Sequence, residues 1–411
     1  YHWCWNAAHL AASPSLVSFD SAALDLRTTM EACFCAWGTE YPRIVASVSG
    51  GLDSSILLAL LRRVTPSHVT GLHYVGVDYE RFEIALAREA CASAGVRLVE
   101  GVHDPKKDDV TRIMRAPKMV RPRVQMFAVL IDDLSTQLAD EVSANCFMIG
   151  QGGDNLFLQR SGAKFTAADH LLLRGLGAHF LSCAYDNAIL QQTSVWRVLT
   201  LTRSALAHRK TWKPYAFLHG PQWTKNRPLA TEMVASIPIS HMEHPWLSDA
   251  WRLPPGKAEH LLSIVGLYRY YVDHWRGIER DVIYPIFSQP VLELALQTPT
   301  FVLAQGGTDR ALERAAFRDI LPPSIYKRTN KGGANQYLVE MMKLNLRFLR
   351  ELILDGAIAR QGWLDRKATE QMLTEDFLAH GGGRIFLLLL ASAEAWLAAW
   401  SGLATSTASR S

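Results

Sequence analysis

Apolar and polar positions exchange between two periods along the first part of the chain. Arg43 to Val48 is an apolar, β-branched run and reads as a buried strand. Asp53 to Arg63 follows as a strongly apolar helix. The exchange then repeats. His68 to Val77 reads as strand, Tyr79 to Ala94 as helix and Val96 to Gly101 as a short strand. A long helix fits Pro122 to Ala144, and Cys146 to Gly150 is another strand. A helix at about Ala22 to Trp37 precedes them, after a Trp-rich stretch, residues 1–19, that lacks clear periodicity. Strand and helix alternating over about 110 residues predict an α/β fold with a doubly wound, mostly parallel sheet. Ligands of such folds bind at the carboxyl ends of the strands.

After Phe157 the strand pattern stops. Helical runs follow, broken at Pro214, Pro221, Pro238, Pro254–Pro255, Pro285 and Pro322–Pro323. A large helical C-terminal part is therefore expected from about residue 160. The longest apolar run, Ile385 to Trp400, is interrupted by Ser392 and Glu394. It is too short to span a bilayer comfortably, so it predicts a buried helix and no membrane partner.

Composition narrows the classes. The chain has 411 residues, 49% hydrophobic and 20% charged, which excludes a mainly disordered protein. A net charge of +4 is spread thinly, with no Lys/Arg-dense run, so nucleic acid is not an expected partner. Six cysteines without a CxxC pair form no disulfide framework and read as reduced thiols of a cytoplasmic protein. No secretory signal is visible.

The most informative stretch lies between the first strand and its helix: Ser47-Val48-Ser49-Gly50-Gly51-Leu52-Asp53-Ser54-Ser55. Two glycines allow a tight turn that brings amide N–H groups close to an anion. Ser49, Ser54 and Ser55 add hydroxyls, and the helix N-terminus adds partial positive charge. Asp53 would repel a bare phosphate but suits one that carries Mg²⁺. A Ser/Gly turn with Asp53 as a helix N-terminal charge is the plain structural alternative. The strand–loop–helix setting favours phosphate. At the end of the later strand comes Gly150-Gln151-Gly152-Gly153-Asp154-Asn155-Leu156-Phe157, a second Gly-rich turn with a carboxylate.

SGGxDSS in this setting resembles the PP-loop ATP pyrophosphatases, an adenine nucleotide alpha hydrolase-like fold. More narrowly it resembles the synthetase domain of asparagine synthetase and its relatives. That family cleaves ATP between the α and β phosphates, adenylates a carboxylate and lets an amine displace AMP. Residues 150–157 are similar to the family's GxGxDxxF element. The resemblance makes Ser47, Ser49, Gly50, Gly51, Asp53, Ser54, Ser55, Gly150, Gly152 and Gly153 the ATP-binding set, and makes Asp53 and Asp154 the Mg²⁺ ligands. Ile283 to Ser288 resembles a VPFLD-like turn with Ser288 in place of the usual Asp. Asp309 to Ala316 resembles a K-x-x-L-R-x-A element, and Arg328-Thr-Asn-Lys331-Gly-Gly a loop carrying the catalytic lysine. Lys331, with Arg328, is the residue the resemblance points to for stabilising charge at the α-phosphate.

These motifs imply three regions. Residues 1–40 form a linker and helix, the remnant of a missing or truncated N-terminal glutaminase-like domain. Residues 41–160 form the nucleotide-binding α/β core, and residues 161–411 a helical synthetase region that completes the active site. Between the glycines stands Gln151, where asparagine synthetases have Glu and β-lactam synthetases Tyr. A glutamine cannot act as a base, so it reads as a positioning residue. Together with Lys331-Gly332-Gly333, this looks most like the lasso peptide macrolactam synthetases. The resemblance implies adenylation of an Asp or Glu side chain in a ribosomal core peptide and attack by that peptide's N-terminal amine. It also implies a leader-binding protein and a leader peptidase as partners. An ammonia-fed amidotransferase and a non-catalytic nucleotide-binding scaffold are the alternatives. Asp186 and Glu279 are conceivable bases, the twelve tryptophans conceivable walls of a peptide cavity, and His241, Glu243 and His244 loop residues.

Overall fold

The computed structural model describes residues 7–15, 17–76, 81–115, 118–122, 128–211, 228–238, 244–268, 280–328 and 335–401. Five strands form one parallel sheet: β1 (Arg43–Ser47), β2 (His68–Gly76), β3 (Arg97–His103), β4 (Cys146–Ile149) and β5 (Asp281–Ile283), in the order β3-β2-β1-β4-β5. The helices between them are α1 (Phe19–Glu40) ahead of β1, α2 (Leu52–Val64), α3 (Arg81–Ala94) and α4 (Ala128–Glu141). The predicted alternation is thus present, and the fold is α/β.

The β1 side chains show why a continuous apolar run was needed. Ile44 and Ala46 point into the larger core with α1 and α2, whereas Val45 points into the opposite core with Leu138, Ala139 and Phe147. Strand residues alternate faces, so a strand covered on both sides has no polar register. Leu26, Met30 and Phe34 of α1 are fully buried in that larger core, which continues into Trp246, Leu261, Leu292 and Phe317 of the later helices.

One expectation is corrected. Strands do not stop at Phe157, because Asp281–Ile283 pairs parallel with β4 at the sheet edge. Three residues are too few to display a period of two. The strand is pinned by tertiary bonds: the Tyr41 hydroxyl donates to Asp281 Oδ2 at 2.7 Å and Arg280 Nε to the Ala144 carbonyl at 2.9 Å.

The remaining helices used below are α5 (Gly153–Leu156), α6 (Thr166–Arg174), α7 (Ala178–Gln191), α8 (Pro255–Leu267), α9 (Ala311–Phe317) and α10 (Arg384–Ser401). A second core, separate from the sheet, joins Val110 and Ile113 to Leu349, Ile353, Leu387, Leu388 and Ala391. Helix α10 belongs to it. Among the described residues α10 is the single helix long and apolar enough to cross a membrane by length and composition.

Candidate active site

The order 3-2-1-4-5 reverses direction at β1, so β1 and β4 separate at their carboxyl ends and leave a crevice between the loops that follow them. The β1 loop turns at Gly50, whose φ of +70° is left-handed and whose missing Cβ would stand 2.8 Å from the Ala87 amide nitrogen. The Ser54 hydroxyl lies 3.1 Å from Ser49 Oγ and 3.2 Å from the Gly51 carbonyl, and Ser55 Oγ donates to that carbonyl at 2.8 Å. Both hydroxyls are buried and shape the loop. Ser47 ends β1, opposite Leu72 and Ile149.

The two loops pack against each other. A Cβ on Gly150 would lie 2.7 Å from the Ser54 backbone, so only glycine permits this approach. The Gly153 amide donates to Asp53 Oδ2 at 3.1 Å, which ties the first turn of α2 to the start of α5. Asn155 Nδ2 bonds Ser263 of α8, and Gly152 has a φ of +124° beside Phe287.

Facing these loops is α9. Arg310, at its N-terminus, places Nη1 against Asp53 Oδ1 and 3.2 Å from Asp154 Oδ1. Its guanidinium also stands 3.7 Å from Asp309 and 3.9 Å from Glu313. Glu313 is fully buried, and neither of its carboxylate oxygens has a hydrogen-bond partner. Burial, then the charge of Asp53, pushes its carboxyl well above the usual range. Burial pulls Arg310 down, but Asp53, Glu313, Asp154 and Asp309 more than offset this, and its value is raised. Carboxylates from two strand ends that converge on one cation are the oxygen donors a divalent ion takes, so the pair fits Mg²⁺.

Arg314, one turn further along α9, holds the next segment. It donates to the carbonyls of Asp309 at 2.9 Å, Tyr326 at 2.5 Å and Arg328 at 2.7 Å. Arg328 in turn donates to Glu83 Oε1 at 2.8 Å. Lys331 lies outside the described residues, as do His241, Glu243 and Glu279.

A cavity of about 710 Å³ is lined by Ser49, Gly51, Asp53, Gly150, Asp154, Arg310, Arg314 and Arg328. It extends to Gln159, Arg160, Ile189 and Gln192. The structure therefore brings together Ser49, Gly51, Asp53, Gly150, Asp154 and Arg328. Gln151 is half-buried and is not among the described residues lining the cavity. No described tryptophan lines it either: Trp246 is buried in the core, and Trp37 donates to Ser288 Oγ at 2.9 Å. That bond gives Ser288 a structural role. Asp186 accepts from the Gly306 amide at 2.9 Å.

Arg310, Glu313 and Arg314 received no role from the sequence. A signal existed: three charges at helical i, i+3 and i+4 spacing within Ala311-Leu312 and Ala315-Ala316, where an amphipathic surface helix would carry them outward.

A parallel sheet with loops of two adjacent strands parted around an acidic pair defines the class: an α/β protein with its ligand site at the switch point. The chain belongs to the asparagine synthase family, whose model matches residues 42–398. A search of the curated proteins finds no match. Membership carries the use of ATP and the formation of a C–N bond at its expense.

Proposed function

We propose that the protein closes a macrolactam on a ribosomal peptide. A Glu or Asp side-chain carboxylate of the bound peptide attacks the α-phosphorus of ATP and pyrophosphate leaves. The peptide's N-terminal amine then attacks the acyl carbon, AMP departs, and the amine loses a proton as the amide forms. Asp53 and Asp154 would hold Mg²⁺, which neutralises charge on the pyrophosphate leaving group when bound. The β1 loop, with Gly150, Gly152 and Gly153, would seat ATP. Lys331 and Arg328 would stabilise charge at the α-phosphate, and Gln151 would position a loop rather than move a proton.

The observation that carries this reading is the extent of the cavity. Beyond the two loops it runs on to Ile189 of α7, and from Ile189 an apolar ridge continues along the same helix through Tyr185 and Leu181. These three are 47%, 60% and 62% exposed. Residues four apart share a helix face, so the three side chains form one exposed apolar ridge of about 12 Å, at 1.5 Å rise per residue, for a peptide to lie on. Ammonia would need no such surface. Holding amine and carboxylate of one peptide together supplies much of the rate.

Mass spectrometry of the trimmed core peptide tests the reading, with ATP, Mg²⁺ and the protein present. Loss of one water, with AMP formed in step, is the expected result. An unchanged peptide alongside ammonia-dependent AMP formation would replace the reading with an amidotransferase, and no AMP at all with a nucleotide-binding scaffold.

A further inference from the structure

The position held by Arg310 Nη1 is a convergence point of three carboxylates, not two. Asp53 arrives from the β1 loop, Asp154 from the β4 loop and Glu313 from α9, the last with Oε2 3.9 Å away. The space between them is tight. A Cβ on Gly153 would meet Asp53 Oδ1 at 2.7 Å and Glu313 Oε1 at 2.8 Å, so both oxygens crowd the same glycine. Glu313 is 0% exposed, and both its oxygens lack a hydrogen-bond donor. A buried carboxylate with no donor is costly and rare. Among the described residues its countercharges are the Arg310 and Arg314 guanidiniums, and neither gives it a hydrogen bond: Arg310 stands closer to Asp53 and Asp154, and Arg314 donates to backbone carbonyls. Arg310 Nε is likewise buried without a hydrogen-bond partner, with Asp309 Oδ2 3.7 Å away, and Arg310 also lines the cavity. Among the described residues no three acidic, His or Cys side chains already stand at metal-ligating spacing, and Arg310 Nη1 sits between these three.

We propose that Glu313 is the third protein ligand of the divalent cation and that Arg310 is its resident stand-in, leaving toward the cavity when the cation enters. The proposal rests on the reading of Asp53 and Asp154 as cation ligands. The short α9 helix, starting at Arg310, would carry both the ligand and the group it displaces, three residues apart.

Binding of Mn²⁺, followed by electron paramagnetic resonance with α,β-methylene-ATP present, tests this without turnover. Glu313→Gln should weaken Mn²⁺ binding by about tenfold or more, the worth of one charged ligand. Arg310→Gln should tighten it, because no guanidinium competes. The decisive comparison is the double variant. If Glu313 ligates the ion, Glu313→Gln weakens binding in the Arg310→Gln background as well. If Glu313 acts only by holding Arg310, its effect disappears there and the proposal is overturned. Should Glu313→Gln fail to fold, an unchanged or weakened Mn²⁺ affinity in Arg310→Gln alone would also overturn it. Failure of the underlying site reading looks different: Asp53→Asn would then leave Mn²⁺ binding as in the unaltered protein.

Discussion

At the scale of single residues, the site is built on charge that the fold would otherwise avoid burying. Asp53, Asp154, Asp309 and Glu313 surround one guanidinium, and Arg314 satisfies three backbone carbonyls. Buried pairs of this kind contribute little net stability but fix geometry. Asp53→Asn and Asp154→Asn should each lower pyrophosphate release at least about a hundredfold, with circular dichroism unchanged; retention of activity in either would remove the cation assignment. Arg314→Gln should cost about 1–3 kcal/mol of stability and reduce turnover by about tenfold, because it frees the Arg328 carbonyl at the start of the segment that carries Lys331. Denaturant titration and steady-state kinetics read the two effects separately. The sequence displayed Asp53 and Asp154 through their glycine neighbours. It gave no such marker for Glu313, whose role depends on which way a seven-residue helix faces.

At the scale of elements, a buried polar network fixes the helices behind the β4 loop. His260 Nε2 lies 2.9 Å from the Leu156 carbonyl, which can only accept, so Nε2 carries the proton and Nδ1 accepts from Lys257 Nζ at 3.2 Å. Lys257 also donates to the carbonyls of Ala295 and Thr298. Asp169 accepts from the Gly256 amide and from Thr300. The helices α6 and α8 and the segment around Thr298 are thereby locked to the residues just beyond Asp154. Burial pulls Lys257 down to about 7, against the opposing charge of Asp169. Between that value and the ordinary lysine range the folded chain holds fewer protons than the unfolded chain. The stability from this group is therefore full at alkaline pH and lost as pH falls through about 7. Lys257→Met should destabilise by about 2–4 kcal/mol, since the buried acceptors around Nζ lose their donor. It should also flatten the rise in denaturation midpoint between pH 7 and pH 9; an equal slope in both proteins would place the titration elsewhere.

At the scale of the whole molecule, the sheet sets the crevice and the later helices decide what can enter it. The ridge on α7 meets the cavity only because α7 packs beside the segment around Gly307, which a Cβ there would bring to 3.0 Å from Ile189. Replacing Leu181 and Tyr185 together by serine should raise the KM for the peptide about tenfold or more, as two half-exposed apolar contacts are lost, and leave the affinity for ATP as it was. An unchanged peptide KM would detach the ridge from substrate binding.

The sequence by itself determined the parallel alternation of strands and helices, the central position of the Ser49–Asp53 loop and the second carboxylate turn at Gly150–Asp154. Each is a local pattern: a period of two or 3.6, or glycines at fixed offsets from a strand end. Tertiary structure alone decided the β5 edge strand, which is too short to show a period and is held by Tyr41 and Arg280. It alone brought Glu313 and Arg310, more than a hundred and fifty residues beyond Asp154, to the same few cubic ångströms. Charges distant in sequence leave no periodic trace. Only the packing of α9 across the strand ends turns them into one site.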